Sequence, residues 1–201
     1  MTLPQFDTTH FTALVRSLAK SAFRDILSQA SDEHVYAFGL YTNGEGGYVI
    51  PTANTEEALE RTALVYAQTN ATPVDLHRQS LRWSPCDWQY HEEGDDAAFE
   101  EVDRYLETGW NADYTHFRFN VELVERCCIT ALQQLQQEYF FRVPGNQKPV
   151  LVNVFKGDQS DKERMAFAQE LNNEVLCRQF QQELEQGYKA FFAIADLKRG
   201  D

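Results

Sequence analysis

The sequence predicts an α+β fold: a small, mainly antiparallel sheet flanked by several helices, in a single domain over residues 1–201. Three observations predict it. Long stretches carry apolar residues at the three-four spacing of helices. Two short runs, 34–42 and 150–155, are apolar on both faces, as strands buried from both sides are. The elements follow no strict strand-helix alternation, and no repeat or low-complexity linker divides the chain.

The first helix is marked by Phe11, Leu14, Val15, Leu18, Ala19, Ala22, Phe23, Ile26 and Leu27 on one face. Arg16, Lys20 and Arg24 lie one turn apart on the opposite side, as a solvated face or a basic stripe. "HVYAFGLYT" (34–42) follows as a strand, with Tyr36, Phe38 and Leu40 on one face and Val35 and Ala37 on the other. "NGEGG" (43–47) supplies the positive φ angles of a hairpin, and "YVIPT" (48–52) returns, Pro51 marking its end or an edge. These glycines match neither phosphate-loop pattern.

A helix over 54–68 starts at Asn54 or Thr55, with Glu57 placed as in a capping box. Residues 81–84 read as a short extended piece. An acidic helix over 92–107 carries eight acids against one Arg, with Phe99, Val102, Tyr105 and Leu106 as its apolar stripe. Its carboxylates lack EF-hand spacing. A long helix over 117–139 buries Val121, Val124, Cys128, Ala131, Leu132, Leu135 and Tyr139. A turn at 143–149 precedes 150–155, the best candidate for a central strand. Ser160 and Glu163 spell the capping box of another helix, which continues past or restarts at Asn172–Asn173 and ends at Gly187. Residues 189–196 fit either a terminal strand or a helical turn.

The formal net charge of -13 argues against nucleic acid and against an anionic membrane surface, and suits a basic protein partner. Cys86, Cys127, Cys128 and Cys177 form no C-x-x-C pair, so neither disulfides nor a metal site are expected. No leader-like start and no membrane-length apolar run appear, and the expected setting is reducing and cytoplasmic.

The stretch with the most chemistry is "LRWSPCDWQYHEE" (81–93). Ser84, Pro85 and Asp87 have the order of a helix start, which would put Asp87 and His91 one turn apart. Trp83, Asp87, Trp88 and His91 are therefore the candidate ligand- or partner-binding residues. In the functional reading Asp87 orients His91 as a general base, or Cys86 is a nucleophile at a helix N-terminus, where the adjacent Asp87 opposes its thiolate. In the structural reading Ser84 caps a helix while Trp83 and Trp88 anchor a corner of the core, and no catalytic set is completed nearby.

"YAFGLYTNGEGGYVIPTANTEEALER" (36–61) and "RWSPCDWQYH" (82–91) together resemble a bacterial domain-of-unknown-function family. That family shares a YAF-x-LYT strand, a P-x-ANTEE helix start and a WSP-x-DW-x-YH segment. The positions that match are Asn54, Thr55, Glu56, Trp83, Ser84, Pro85, Asp87, Trp88, Tyr90 and His91, while Cys86 falls on a variable position. The resemblance implies a shared domain and carries no reaction. The expectation is a non-enzymatic binding protein without cofactor, with a basic partner as in toxin immunity. The alternatives are an enzyme using Asp87 and His91 in an aromatic pocket, and a scaffolding role; oligomeric state stays open.

Overall fold

Burial on both sides of one sheet organises the molecule. The computed structural model describes residues 6–92, 96–109, 117–143 and 148–199. Residues 93–95, most of the expected turn at 143–149, and the side chain of Phe99 lie outside the described set.

In order the elements are α1 (Thr8–Gln29), β1 (Val35–Thr42), β2 (Val49–Thr55), α2 (Glu56–Asn70), α3 (Val74–Leu81), a single 3₁₀ turn (Pro85–Asp87), β3 (Tyr90–His91), α4 (Asp96–Gly109), α5 (Phe117–Gln137), β4 (Leu151–Lys156), α6 (Asp161–Leu171) and α7 (Glu174–Arg199). The sheet order is β3-β2-β1-β4; β1 pairs antiparallel with β2 and parallel with β4, and β2 pairs antiparallel with β3. The fold is α+β, and its mostly antiparallel sheet is mixed because β4 runs parallel to β1. One core joins the sheet to residues of α1, α5, α6 and α7.

A bulge in β1 corrects the expected facing of its residues. Val35 pairs with Thr55 but Ala37 with Asn54, so Tyr36 is the extra residue. A bulge re-aims the side chain it carries. Phe38 packs on Phe23 of α1, 4.4 Å between ring centroids, whereas Tyr36 turns to Trp83 and Trp88 on the other side. Tyr36 therefore does not share a face with Phe38 and Leu40. Gly39 lies on the side of Phe155: a Cβ there would come within 2.6 Å of Phe155 Cε2 and 2.8 Å of the Asn153 carbonyl.

Pro51 neither ends β2 nor sits on an outer edge, since β2 runs on to Thr55 between β1 and β3. Its carbonyl accepts from Glu92 N–H on the β3 side. A residue's N–H and C=O point to the same side of a strand, so the missing donor costs no bond to β1.

β4, expected at the centre, is an edge strand buried on both faces. The Asn172 side chain covers its edge, accepting from Val152 N–H (3.0 Å) and donating to Val152 C=O (2.7 Å), as a neighbouring strand would.

Several helix boundaries move for local reasons. Thr55 caps α2 by accepting from Ala58 N–H; Asn54 stays buried in β2, and Glu57 binds the His34 backbone and ring instead of closing a capping box. The expected extended piece at 81–84 is the end of α3 and a turn. Tyr139 lies beyond α5, exposed and with φ 56°. Ser160 and Glu163 do form the capping box of α6. α7 runs through Gly187 and makes 189–196 helical, because Gly187 is a packing residue: a Cβ would stand 2.8 Å from the Gln79 carbonyl of α3.

The basic residues of α1 serve the fold. Arg16 and Lys20 both bind Glu138, and Arg24 lies over the Phe140 ring.

Candidate functional site

The segment from Arg82 to His91 forms a corner between α3 and β3; side chains of β1 and α6 bond its backbone, and rings of β4 and α7 pack on its indoles. The Arg82 carbonyl accepts from the Tyr36 hydroxyl (2.8 Å) and from Trp88 Nε1 (3.1 Å). The Trp83 carbonyl accepts from Arg164 Nη1 (3.1 Å). Trp83 and Trp88 are buried, 7% and 4% exposed, and both meet Tyr36 edge-on. Phe180 of α7 closes on Trp83 at 4.7 Å, and Phe155 of β4 on Trp88 at 5.3 Å. Aromatic pairs in this geometry contribute about 0.5–1.5 kcal/mol each beyond their buried area.

The polar candidates do not pair. The 3₁₀ turn ends at Asp87, and Trp88 is extended, so Asp87 and His91 are not one helical turn apart. Asp87 accepts from Tyr66 (2.5 Å) and from Ser84 (2.6 Å). His91 Nδ1 lies 3.2 Å from Thr52 Oγ1, and its ring meets Tyr41 edge-on; burial pushes its pKa down. Ser84 occupies the N-cap position but makes no side-chain cap, because its hydroxyl turns to Asp87. The structure thus brings Trp83 and Trp88 together and leaves Asp87 and His91 with separate partners.

Beside Trp83 opens a cavity of about 390 Å³. Its apolar wall includes Val35, Leu151, Leu176 and Phe180, and its polar wall is built around Arg82. The guanidinium takes Glu56 in a two-pronged ion pair, both bonds 2.8 Å, and reaches Glu183 at 3.0 Å. It also stacks 4.2 Å from the centre of the Tyr36 ring. Glu183 accepts from Trp83 Nε1 at 3.0 Å as well. Burial alone would lower the Arg82 pKa, but Glu56 and Glu183 outweigh it and raise it. The hydrogen bonds from Arg82 hold the Glu56 carboxyl below its usual range. Burial drives the Tyr36 hydroxyl upward, so it stays a neutral donor to Arg82 and acceptor from Asn54.

Residues 15–173 match a family described as a domain of unknown function (DUF4303). The chain belongs to the DUF4303 family. No curated protein and no solved structure matches it. In this DUF4303 chain the matched region supplies Tyr36, Glu56, Arg82 and Trp83, while Glu183 and Phe180 come from α7 beyond it. Among the described residues no group of three His, Cys, Asp or Glu is placed to hold a metal ion, and no helix is long and apolar enough to cross a membrane.

Sequence reasoning missed Arg82 and Glu183 as site residues. They stand 101 positions apart, and their partnership arises only when α7 packs against α3. Glu56 carried a readable signal as an acid in the first turn of α2, although its role there goes to Arg82 rather than to the helix dipole alone.

Proposed function

We propose that this DUF4303 protein is a binding protein whose cavity beside Trp83 receives an apolar side chain presented by a basic protein partner. One observation carries the reading. Arg82, Glu56 and Glu183 at the back of the cavity are bonded to one another, which leaves a preformed apolar recess and, among the described residues lining it, no nucleophile-base pair. Anchoring of a single apolar or aromatic side chain in such a recess is how many protein interfaces concentrate their affinity. The basic character of the partner rests on the net charge of -13 of the whole chain, since in the cavity lining Glu56 and Glu183 stand against Arg82 and Lys148. A field of that sign speeds encounter with a cationic surface and disfavours anionic ones.

Selection of binding peptides from a random library tests the proposal. The expected winners place Lys or Arg beside an apolar or aromatic anchor. Their affinity should fall from about 0.1 M to about 1 M salt, as the screening length drops from about 10 Å to about 3 Å. Leu176→Trp, which fills the recess, and Glu183→Gln should each weaken them. Enrichment of acidic peptides, or binding indifferent to both substitutions, would refute it.

A further inference from the structure

Trp83 also lines a second cavity, of about 330 Å³, that opens between the 3₁₀ turn, the loop after β4, and α7. It lies at the carboxyl ends of the parallel strands β1 and β4. Its wall holds an electrostatic anomaly. Arg164 is half-buried, yet among the described residues its side chain forms no ion pair, and the one hydrogen bond of that side chain is the donation from Nη1 to the Trp83 carbonyl. Its Nε is buried without an acceptor. Burial works against its charge, and of the groups near it that favour the charge, Asp161 is ionised while burial keeps the Tyr41 phenol neutral. Buried charges are ordinarily paired, because desolvation is otherwise uncompensated.

The other charges of this cavity are spoken for or open to water. Lys156 is bound by Glu125 and Glu163, and Glu183 by Arg82 and Trp83. Asp158 and Asp161 are exposed to solvent, which screens them. Among the described residues lining this cavity, Arg164 is thus a cation without an ion pair, with the solvent-exposed Asp161 acting on it only from a distance. The rim adds a second feature. Tyr188 and Phe191 of α7 line the cavity while 64% and 60% exposed. Gly157 lies in the wall in front of the Tyr41 hydroxyl, where a Cβ would stand 3.4 Å from it.

We propose that this cavity binds a small ligand joining a planar ring to an oxyanion, the oxyanion on Arg164 and the ring on Tyr188 and Phe191. A guanidinium recognises carboxylate and phosphate by the same forked donors, and exposed aromatic faces stack on any planar ring. The site shares Trp83 and Glu183 with the recess proposed for a partner, but not Leu176 or Phe180.

Calorimetric titration with adenosine monophosphate and with 4-hydroxybenzoate tests the two oxyanion sources, with adenosine and inorganic phosphate as half-ligand controls. At least one ring-bearing oxyanion should bind with a Kd of about 1 mM or tighter, and both half-ligands at least about tenfold more weakly. Arg164→Gln should abolish that binding. Phe191→Ala, a surface change that leaves the fold intact, should weaken it several-fold, and it carries the test if Arg164→Gln fails to fold. Absence of binding by either ring-bearing probe, inorganic phosphate binding equally well, or Phe191→Ala without effect would overturn the proposal. Leu176→Trp should leave this binding intact, so its failure and that of the partner reading are separable.

Discussion

Replacement of Gly39 by alanine probes the join between the sheet and the aromatic corner. The new Cβ would sit 2.6 and 2.8 Å from two Phe155 ring carbons and 2.8 Å from the Asn153 carbonyl oxygen. Ordinary carbon contacts run at about 3.5–4.0 Å, so the ring has to retreat by roughly 1 Å. It has little room, because it packs edge-on against the buried Trp88 and is itself 1% exposed. The carbonyl belongs to the paired strand β4 and moves only with it. Overpacking of this kind costs about 1–3 kcal/mol, and the lower chain entropy of alanine in a strand returns about 0.5–1 kcal/mol. The expected net loss is about 1–2 kcal/mol, or about 2–8 °C in Tm for a chain of this size. Urea unfolding followed by tryptophan fluorescence measures it. Phe155→Leu shortens the clashing ring, so Gly39→Ala should cost less in that background by about 0.5 kcal/mol or more. A Gly39→Ala protein as stable as wild type, or strictly additive behaviour with Phe155→Leu, would refute the reasoning.

Trp88→Ala should lose about 3–5 kcal/mol, since the ring is buried and its Nε1 holds the Arg82 carbonyl, and a melt within a degree of wild type would contradict this. Ser84→Ala should lose only about 0.5–1.5 kcal/mol, the worth of its hydrogen bond to Asp87, and thermal melts of the pair should preserve that order. Among the four cysteines Cys86 alone is exposed, so a thiol reagent should modify one group quickly in the native protein and four after unfolding without reductant. His91 has a folded pKa below its unfolded value of about 6.5, so the stability tied to its neutral form is complete above that pH and is lost as pH falls toward the folded value. His91→Gln should flatten the decline in stability between about pH 7 and pH 5, and equal slopes for the two proteins would count against it.

Much of the fold was legible because local and tertiary demands agree. The apolar face of α1 is buried as its spacing predicts, and Ser160 and Glu163 close the capping box they spell. Where tertiary contacts override local signals, the reading failed. Gly187 looks like a helix stop, but its missing side chain lets α3 and α7 approach. β4 looks central because both its faces are apolar, yet a single amide, Asn172, does the work of a neighbouring strand. Strict alternation assigned Tyr36 to the face of Phe38, and no residue pattern announces the bulge that turns it. Of the candidate site, the buried indoles were readable from their chemistry, whereas the ion pairs of Arg82 depend on residues 26 and 101 positions away.

Burial of Trp83 and Trp88 is compatible with the two binding roles proposed for the corner. The carbonyls of Arg82 and Trp83 are each taken by side chains from other elements, so the backbone between them has a single position. That fixed peptide presents the Arg82 guanidinium to one cavity and holds Arg164 in the wall of the other, with the Trp83 ring bordering both. If the proposed binding holds, a wall made of such residues is preorganised: its ordering cost is met when the chain folds, and a ligand or partner does not meet it again. Truncation of Trp83 should therefore damage folding and both recesses together, whereas Phe180→Leu, which loosens the packing on the indole without removing it, should weaken binding more than it lowers stability.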